Sequence, residues 1–418
     1  MKKVFATIIT IGDELLIGQV IDTNSAWIAQ ELNKIGVPVK HRIAVGDVYE
    51  DIWNALDEES KQADIILLTG GLGPTADDIT KPLLCEYFGG KMIMHQPTLD
   101  YITDLFENVL KRPMIERNMK QAEVPDVCTV LKNERGTAPG MLFEKDNKIF
   151  IALPGVPHEM KWIMSNHSLN IITQKFNTGF IEHRTLLTAG VGESFLAEMI
   201  KDFEAIIPSH IKLAYLPNYG MVRLRLTGFS NDKNKLIEEI DALFATLKNL
   251  VQAYLVIDED IPMEAVIGRL LKERNETIST AESCTGGYIA HLLTSVPGSS
   301  SYYEGSVVSY SYAVKEDVLK VQNKTLNTVG AVSEETVTEM VQNVMKIMNT
   351  DYAIAVSGIM GPGGETQEKP IGTAWIAVAG KNKLIAKKFH FRFDRARNIQ
   401  LTAMNALNLM RQLIVDNR

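Results

Sequence analysis

Cysteine is scarce in this chain: Cys85, Cys128 and Cys284 are its three, an odd number with no Cys-x-x-Cys pair. That argues against a disulfide framework and against a thiolate zinc site. No apolar run approaches the roughly 20 residues that a membrane-spanning helix needs, so no membrane is expected as a partner. Lys and Arg number 43 against 51 Asp and Glu, a net charge of −8, with no long basic run. Direct nucleic-acid binding is therefore not expected. Internal repeats and low-complexity tracts are absent too. Met1-Lys2-Lys3 before Val4–Ile11 looks superficially like a signal peptide. The apolar stretch runs straight into Gly12-Asp13-Glu14, without a small-residue cleavage site. A buried first strand in a cytoplasmic protein is expected instead.

What is present is an ordinary globular composition, 45% hydrophobic and 22% charged over 418 residues, enough for two or three domains. Residues 4–165 alternate strand and helix patterns: strands at Val4–Thr10, Val37–Val45, Asp64–Thr69 and Ile149–Leu153, and helices at Asn24–Ile35, Tyr49–Gln62, Asp77–Phe88 and Val156–Met164. Repeated βαβ units with continuous apolar strands predict an α/β domain, a mainly parallel sheet with helices on both faces. From about 171 to 257 the pattern is a small α+β module without an acid/base cluster, read as a spacer or dimerisation domain. Residues 258–418 form a third, α/β unit. The expected domains are thus 1–170, 171–257 and 258–418, with a homodimer expected.

Two glycine-marked loops stand out. The first is Thr69-Gly70-Gly71-Leu72-Gly73-Pro74-Thr75-Ala76-Asp77-Asp78, directly after an apolar strand. Its glycines Gly70, Gly71 and Gly73 allow close backbone approach to a ligand, and Thr69 and Thr75 add hydroxyls. Asp77 and Asp78 then open a helix, where acids also serve as plain caps. Further acids, Asp13, Glu14, Asp22 and Asp47, fall at expected strand ends. Oxygen ligands beside a phosphate-type loop suit a hard divalent cation with a pyrophosphate.

The second loop is Thr280-Ala281-Glu282-Ser283-Cys284-Thr285-Gly286-Gly287. Ser283 at a strand-to-helix turn is a candidate nucleophile, with N–H groups near Gly286 and Gly287 as oxyanion donors. A Ser there is also an everyday helix cap, and no Gly-x-Ser-x-Gly elbow is present. Tyr310 and Lys315 lie downstream, at a strand end and a helix start. A desolvated Lys could act as the base, while the plain readings are an exposed lysine at a helix start for Lys315 and core packing for Tyr310. Cys284 competes with Ser283 as nucleophile, and the residues alone do not separate the two.

Gly12-Asp13-Glu14-Leu15-Leu16, Asp22-Thr23-Asn24, the Thr69–Asp78 loop and Pro154-Gly155-Val156-Pro157-His158-Glu159-Met160 resemble the molybdopterin-binding-type domain of the CinA (competence/damage-inducible) family, which is similar to the MoaB/MogA fold. Ala281–Gly287, Gly305–Tyr310 with Lys315, Gly330–Ser333, Ser357–Gly364 and Glu368–Thr373 resemble the family's C-terminal domain, itself similar to stand-alone nicotinamide mononucleotide deamidases. The resemblance implies two activities. One is a metal-dependent pyrophosphatase taking ADP-ribose to AMP and ribose 5-phosphate. The other is an amidohydrolase with Ser283 as nucleophile and Tyr310 and Lys315 in proton transfer. It also brings Asn24, Gly155 and Glu159 in as substrate-side residues, beside Thr285, Gly286 and Gly287 in the second loop. For the cation, Mg²⁺ or Co²⁺, Asp77 and Asp78 are the first candidates and Asp47, Asp22 and Glu159 follow. No cofactor is expected for the amidase. A nucleotide 5′-phosphate would need the Gly361, Gly363 and Gly364 loop with Arg395 or Arg397. The alternatives are a non-catalytic competence or DNA-damage accessory role, or molybdopterin binding.

Overall fold

The computed structural model describes residues 3–75 and 78–416. They fall into two units, one built from residues up to 182 together with 228–239, the other from 183–227 and 240 onward.

The strands of the first unit are β1 (Ala6–Ile11), β2 (Val39–Val45), β3 (Ile65–Thr69), β4 (Met92–Met94), β5 (Glu123–Pro125), β6 (Thr129–Leu131), β7 (Gly140–Lys145) and β8 (Lys148–Leu153). Six form one sheet in the order β2-β1-β3-β8-β7-β6, while β4 and β5 pair separately. The four strands from β2 to β8 run parallel, and β7 and β6 add an antiparallel edge. Side chains alternate along a strand, so each face takes its own set. Ile9, Ile11, Ile66 and Leu68 join Ile52 and Leu56 of the helix Tyr49–Ser60 and Leu83 and Leu84 of Thr80–Tyr87. Ala6, Ile8, Ile65 and Leu67 join Ile28 and Leu32 of the helix Thr23–Lys34 and Met160 and Ile163 of Pro157–Ile163. Both faces are covered, as the continuous apolar strands require. Register places Thr10, Thr69 and Leu153 side by side at the carboxyl edge. The loops that begin at Gly12, Gly70 and Pro154 therefore leave the sheet together, the usual place for a ligand in such sheets.

One helix start differs from expectation. The helix expected over Asp77–Phe88 begins at Thr80. Asp78 does not open it, because its carboxylate folds back onto the N–H groups of Gly73 (2.9 Å) and Thr75 (2.8 Å). Asp77 lies outside the described residues.

Next come β9 (Phe180–Ala189), β10 (Ile211–Asn218), β11 (Met221–Ser230) and β12 (Leu255–Ile257), in sheet order β10-β11-β9-β12. The β10–β11 hairpin turns through Tyr219 and Gly220, both at positive φ (45° and 80°), the two-residue turn that fits strand twist. Leu187, Ala189 and Met221 share one core with Met263, Ile267 and Met410.

The second unit's main sheet holds β13 (Ile278–Glu282), β14 (Tyr303–Val308), β15 (Tyr352–Gly358), β16 (Thr373–Gly380) and β17 (Leu384–His390), in the order β14-β13-β15-β16-β17. The first three strands are parallel and the last two antiparallel. One face carries Ile278, Ile354, Val356 and Ile376 against the helices Met263–Arg274, Tyr288–Ser295 and Arg395–Asp416. The other is lined by Ala281, Ala353, Ala355, Ala377 and Ala379. These small residues let the helix Glu334–Met348 lie close, burying Val337, Met340, Val341 and Val344, each worth roughly 1.5–3 kcal/mol relative to exposure. Glu282, the last residue of β13, is in register with Val308 on β14 and Val356 on β15. Three loops emerge from this one edge, and they carry the candidate chemistry.

Candidate active site

The loop after β13 brings Ser283 to that edge, with its N–H held by the Val356 carbonyl at 3.0 Å. The loop after β14 turns through Ser309, Tyr310 and Ser311. The Ser311 hydroxyl caps the helix Tyr312–Asp317 by accepting from the Val314 N–H, and that helix points Lys315 inward. Lys315 is 1% exposed, and its Nζ lies 2.9 Å from Ser283 Oγ and 2.5 Å from the Ser309 carbonyl oxygen. Burial lowers its ammonium from the ordinary 10.5 to about 8, with no carboxylate partner to oppose the shift. A lysine that gives up its proton near neutrality, against a serine hydroxyl, is a base and a nucleophile in contact.

These two line a cleft of about 690 Å³ with Tyr310, Ser357, the Gly358–Met360 stretch, Gly363, Gly364 and Arg395. Arg395 is exposed at the rim; it donates to the Gly361 carbonyl at 2.7 Å and to the Tyr310 hydroxyl at 3.0 Å. Tyr310 is thus placed at Arg395, and Lys315 reaches Ser283 without a tyrosine between them. Arg397 is not among the cleft residues, and its guanidinium stacks 4.1 Å over the Phe393 ring. Cys284 also borders the cleft, but its side chain belongs to the apolar core, and burial pushes the thiol up to about 12. Its thiolate is scarce at neutral pH.

The second glycine loop is used differently from expectation. Thr285, Gly286 and Gly287 are not cleft-lining residues. The Thr285 hydroxyl donates to Glu282 at 2.6 Å, and the Gly286 N–H is taken by the Ser283 carbonyl at 3.2 Å. Gly286 and Gly287 are required by their positive φ (62° and 96°). Likewise Gly361 supplies a carbonyl to Arg395, while Gly363 and Gly364 line the cleft. Three contributors escaped the sequence reading: the Ser309 carbonyl, Ser357 and Glu282. Only Glu282 left a signal, as a carboxyl group closing an otherwise uncharged strand.

In the first unit a cavity of about 460 Å³ sits at the carboxyl edge, lined by Thr10, Glu14, Asp22, Asn24, Thr69 and Gly155 among others. Asn24 Nδ2 donates to the Gly155 carbonyl (2.7 Å) and to Thr69 Oγ1 (3.1 Å), while its buried Oδ1 has no partner among the described residues. Gly70, Gly71, Gly73 and Thr75 are not among the lining residues. The glycines are there for internal packing: a Cβ at Gly70 would fall 2.2 Å from the Ile11 carbonyl oxygen, and one at Gly71 2.1 Å from Thr80 Oγ1. Glu159 also lies apart from this lining. It accepts from Asn133 Nδ2 at 2.6 Å, burial raises its pKa, and it packs where a Cβ on Gly136 would lie 2.0 Å from its Cδ.

Asp77 aside, which lies outside the described residues, the expected cation ligands do not converge. Asp22 caps the helix Thr23–Lys34, accepting from the Ser25 N–H at 2.9 Å. Asp47 accepts from the Asp13 N–H at 3.1 Å and gives its own N–H to Asp13 Oδ1. Asp78 is engaged by Gly73 and Thr75. Among the described residues no three His, Cys, Asp or Glu side chains are grouped to hold a metal ion. The described carboxylates alone therefore do not assemble a site for the implied Mg²⁺ or Co²⁺.

Comparison with known proteins finds matches along the whole chain. Residues 260–414 match the model of the CinA C-terminal domain, residues 7–174 that of a probable molybdopterin binding domain, and residues 183–256 that of the damage-inducible protein CinA KH domain. A CinA-like protein from Cytophaga hutchinsonii is 46% identical over 99% of both chains, and one from Flavobacterium psychrophilum 44% identical over the same shares. The chain belongs to the CinA family. Among solved structures, a CinA superfamily protein from Klebsiella pneumoniae is 30% identical, covering 37% of this chain and 96% of its own at a TM-score of 0.36. CinA from Thermoplasma acidophilum is 30% identical, covering 41% and 99% at a TM-score of 0.38. The KH-type match gives the middle segment of this CinA-family chain an identity that its sequence pattern did not suggest. No helix among the described residues is long and apolar enough to cross a membrane.

Proposed function

We propose that this chain is a bifunctional enzyme of pyridine-nucleotide recycling, whose C-terminal domain deamidates nicotinamide mononucleotide through Ser283. The observation that carries the reading is the buried contact between Lys315 Nζ and Ser283 Oγ at 2.9 Å. Neutral Lys315 takes the hydroxyl proton as Ser283 Oγ attacks the carboxamide carbon. The tetrahedral intermediate collapses with Lys315 returning the proton to the leaving nitrogen, and ammonia departs. Lys315 then deprotonates a water that attacks the acyl ester and returns that proton to Ser283 Oγ as the ester bond breaks, releasing nicotinate mononucleotide. The Gly286 N–H is committed to the Ser283 carbonyl and Gly287 does not line the cleft, so no oxyanion donor is assigned from that pair. Arg395 at the rim, beside Gly363 and Gly364, suits the 5′-phosphate. The test is ammonia release from nicotinamide mononucleotide by the purified full chain without a partner protein. A folded chain that releases none sinks the reading.

The first unit carries the second activity, hydrolysis of ADP-ribose to AMP and ribose 5-phosphate. The cavity lined by Asn24, Thr69 and Gly155, with the unpartnered Asn24 Oδ1, supports a polar ligand there. No step is assigned to a cation. AMP formation from ADP-ribose, with and without Mg²⁺ or Co²⁺, tests this half. A chain that binds molybdopterin and leaves ADP-ribose intact would favour the competing reading. We further assign a homodimer, for which light scattering on the full chain is the check.

A further inference from the structure

Glu282 is fully buried one residue before the nucleophile. Its carboxyl oxygens accept from the Ile289 N–H at 3.0 Å, the Ala290 N–H at 2.8 Å and the Thr285 hydroxyl at 2.6 Å, with the Thr280 hydroxyl at 3.3 Å. Helix starts leave several N–H groups without partners, and a side chain at the N-cap ordinarily satisfies one. The N-cap of the helix Tyr288–Ser295 is Gly287, which has no side chain to offer. Glu282 supplies the acceptors from upstream, across the whole Ser283–Gly287 loop. Its own backbone is fixed as well, since its carbonyl accepts from the Ser309 N–H at 2.8 Å. Ser309 is the residue whose carbonyl holds Lys315.

Resting on the deamidase reading, we propose that Glu282 is a positioning residue for that reaction: it closes the Ser283–Gly287 loop onto the following helix and thereby holds Ser283 Oγ at Lys315 Nζ. The same side chain takes the anion-binding place that a glycine loop before a helix would otherwise offer to substrate. The substrate phosphate is therefore left to the opposite wall, where Arg395, Gly363 and Gly364 lie. Glu282→Gln keeps the shape but replaces one acceptor by an NH₂ group facing donors, so one of the buried N–H or O–H groups loses its partner.

The experiment compares wild type, Glu282→Gln, Glu282→Asp and Thr285→Val as full chains, by three readouts. These are ammonia release from nicotinamide mononucleotide, the rate at which a fluorophosphonate probe labels Ser283, and amide exchange of the 283–290 segment. Glu282→Gln is expected to lose at least ten-fold in kcat and in labelling rate, with KM moved less than three-fold and faster exchange confined to 283–290. Thr285→Val, which removes one bond and leaves the carboxyl in place, should fold even where the Glu282 variants do not, and show a smaller loss of the same kind. Folded Glu282→Gln with wild-type labelling and exchange overturns the proposal, as does Thr285→Val with wild-type labelling and exchange if the Glu282 variants fail to fold. A wild-type chain that neither releases ammonia nor labels at Ser283 overturns the deamidase reading, and the positioning role with it. Faster exchange at 283–290 in the variants would then show a loop clamp without that reaction.

Discussion

Lys315 and Ser283 are separated by 32 positions in the chain, yet Lys315 Nζ and Ser283 Oγ meet at 2.9 Å in a site that leaves the lysine 1% exposed. Two parallel neighbours, β13 and β14, create the contact by delivering their loops to the same sheet edge. The Ser309 carbonyl also accepts from the amine, at 2.5 Å. Among the described residues no carboxylate neutralises the lysine, so burial dominates its proton affinity, with Cys284 opposing it.

Removing that amine should remove the reaction. Lys315→Met is expected to lower kcat/KM for nicotinamide mononucleotide by at least about 10²-fold, the scale of a lost general base. Lys315→Arg is not expected to rescue it, since a guanidinium does not give up its proton. Ammonia release at saturating and limiting substrate measures both.

The pH profile follows from the direction of the shift. Lys315 is brought down from 10.5 to about 8, and its neutral form is the base, so kcat/KM should rise with pH and level off above about 8. An exposed lysine would keep the limb rising toward 10. In Lys315→Met the limb should vanish, as residual rates measured across pH 6–10 would reveal.

Ser283 and Cys284 separate cleanly in the structure. Ser283→Ala is expected to cost at least about 10³-fold in kcat, whereas Cys284→Ala should retain turnover within a few-fold and lose about 1–2 kcal/mol of stability from the core. With its thiol raised to about 12, Cys284 should also resist iodoacetamide at pH 7.5 in the folded chain. Mass analysis of the alkylated protein checks this.

Arg395→Ala should raise KM for the mononucleotide by about 10-fold or more, the value of a charge-assisted bond to phosphate. The dephosphorylated riboside should be much less affected. Arg397→Ala, with its guanidinium on Phe393, should leave both substrates alone. Parallel kinetics on the two substrates distinguish a phosphate contact from general damage.

In the first unit, Asp22→Ala should act on stability, at about 1 kcal/mol for a lost N-cap, read by urea unfolding. Asn24→Ala should instead weaken AMP formation from ADP-ribose while leaving ammonia release unchanged. An Asp22→Ala chain of full stability would contradict its assignment as a cap.

The sequence was most legible where the periodicity was strong. The parallel core strands β1, β3 and β8 are legible in the sequence, because buried strands read as continuous apolar runs. Short or exposed strands were missed: β4 has three exposed apolar residues and β17 mixes Lys387 and Lys388 into its middle, so neither alternates visibly. In the site, Ser283 and Lys315 were identifiable by residue type and by resemblance. The uses of the glycines were not. Gly70 and Gly71 are demanded by contacts with Ile11 and Thr80, partners remote enough that local reading takes the glycines for a ligand cradle. The acids suffered the same ambiguity. Asp22 and Asp78 satisfy backbone N–H groups a few residues away and Asp47 that of the distant Asp13, uses that look identical in sequence to a cation site.

The most direct measurement is rapid-quench mass spectrometry of the full chain mixed with nicotinamide mononucleotide near pH 8. A nicotinate-mononucleotide acyl adduct on the peptide bearing Ser283, absent in Ser283→Ala and accumulating where water attack is slowed, is the expected result. Turnover with no adduct under any quench time, or an adduct on Cys284, would contradict a serine–lysine amidase.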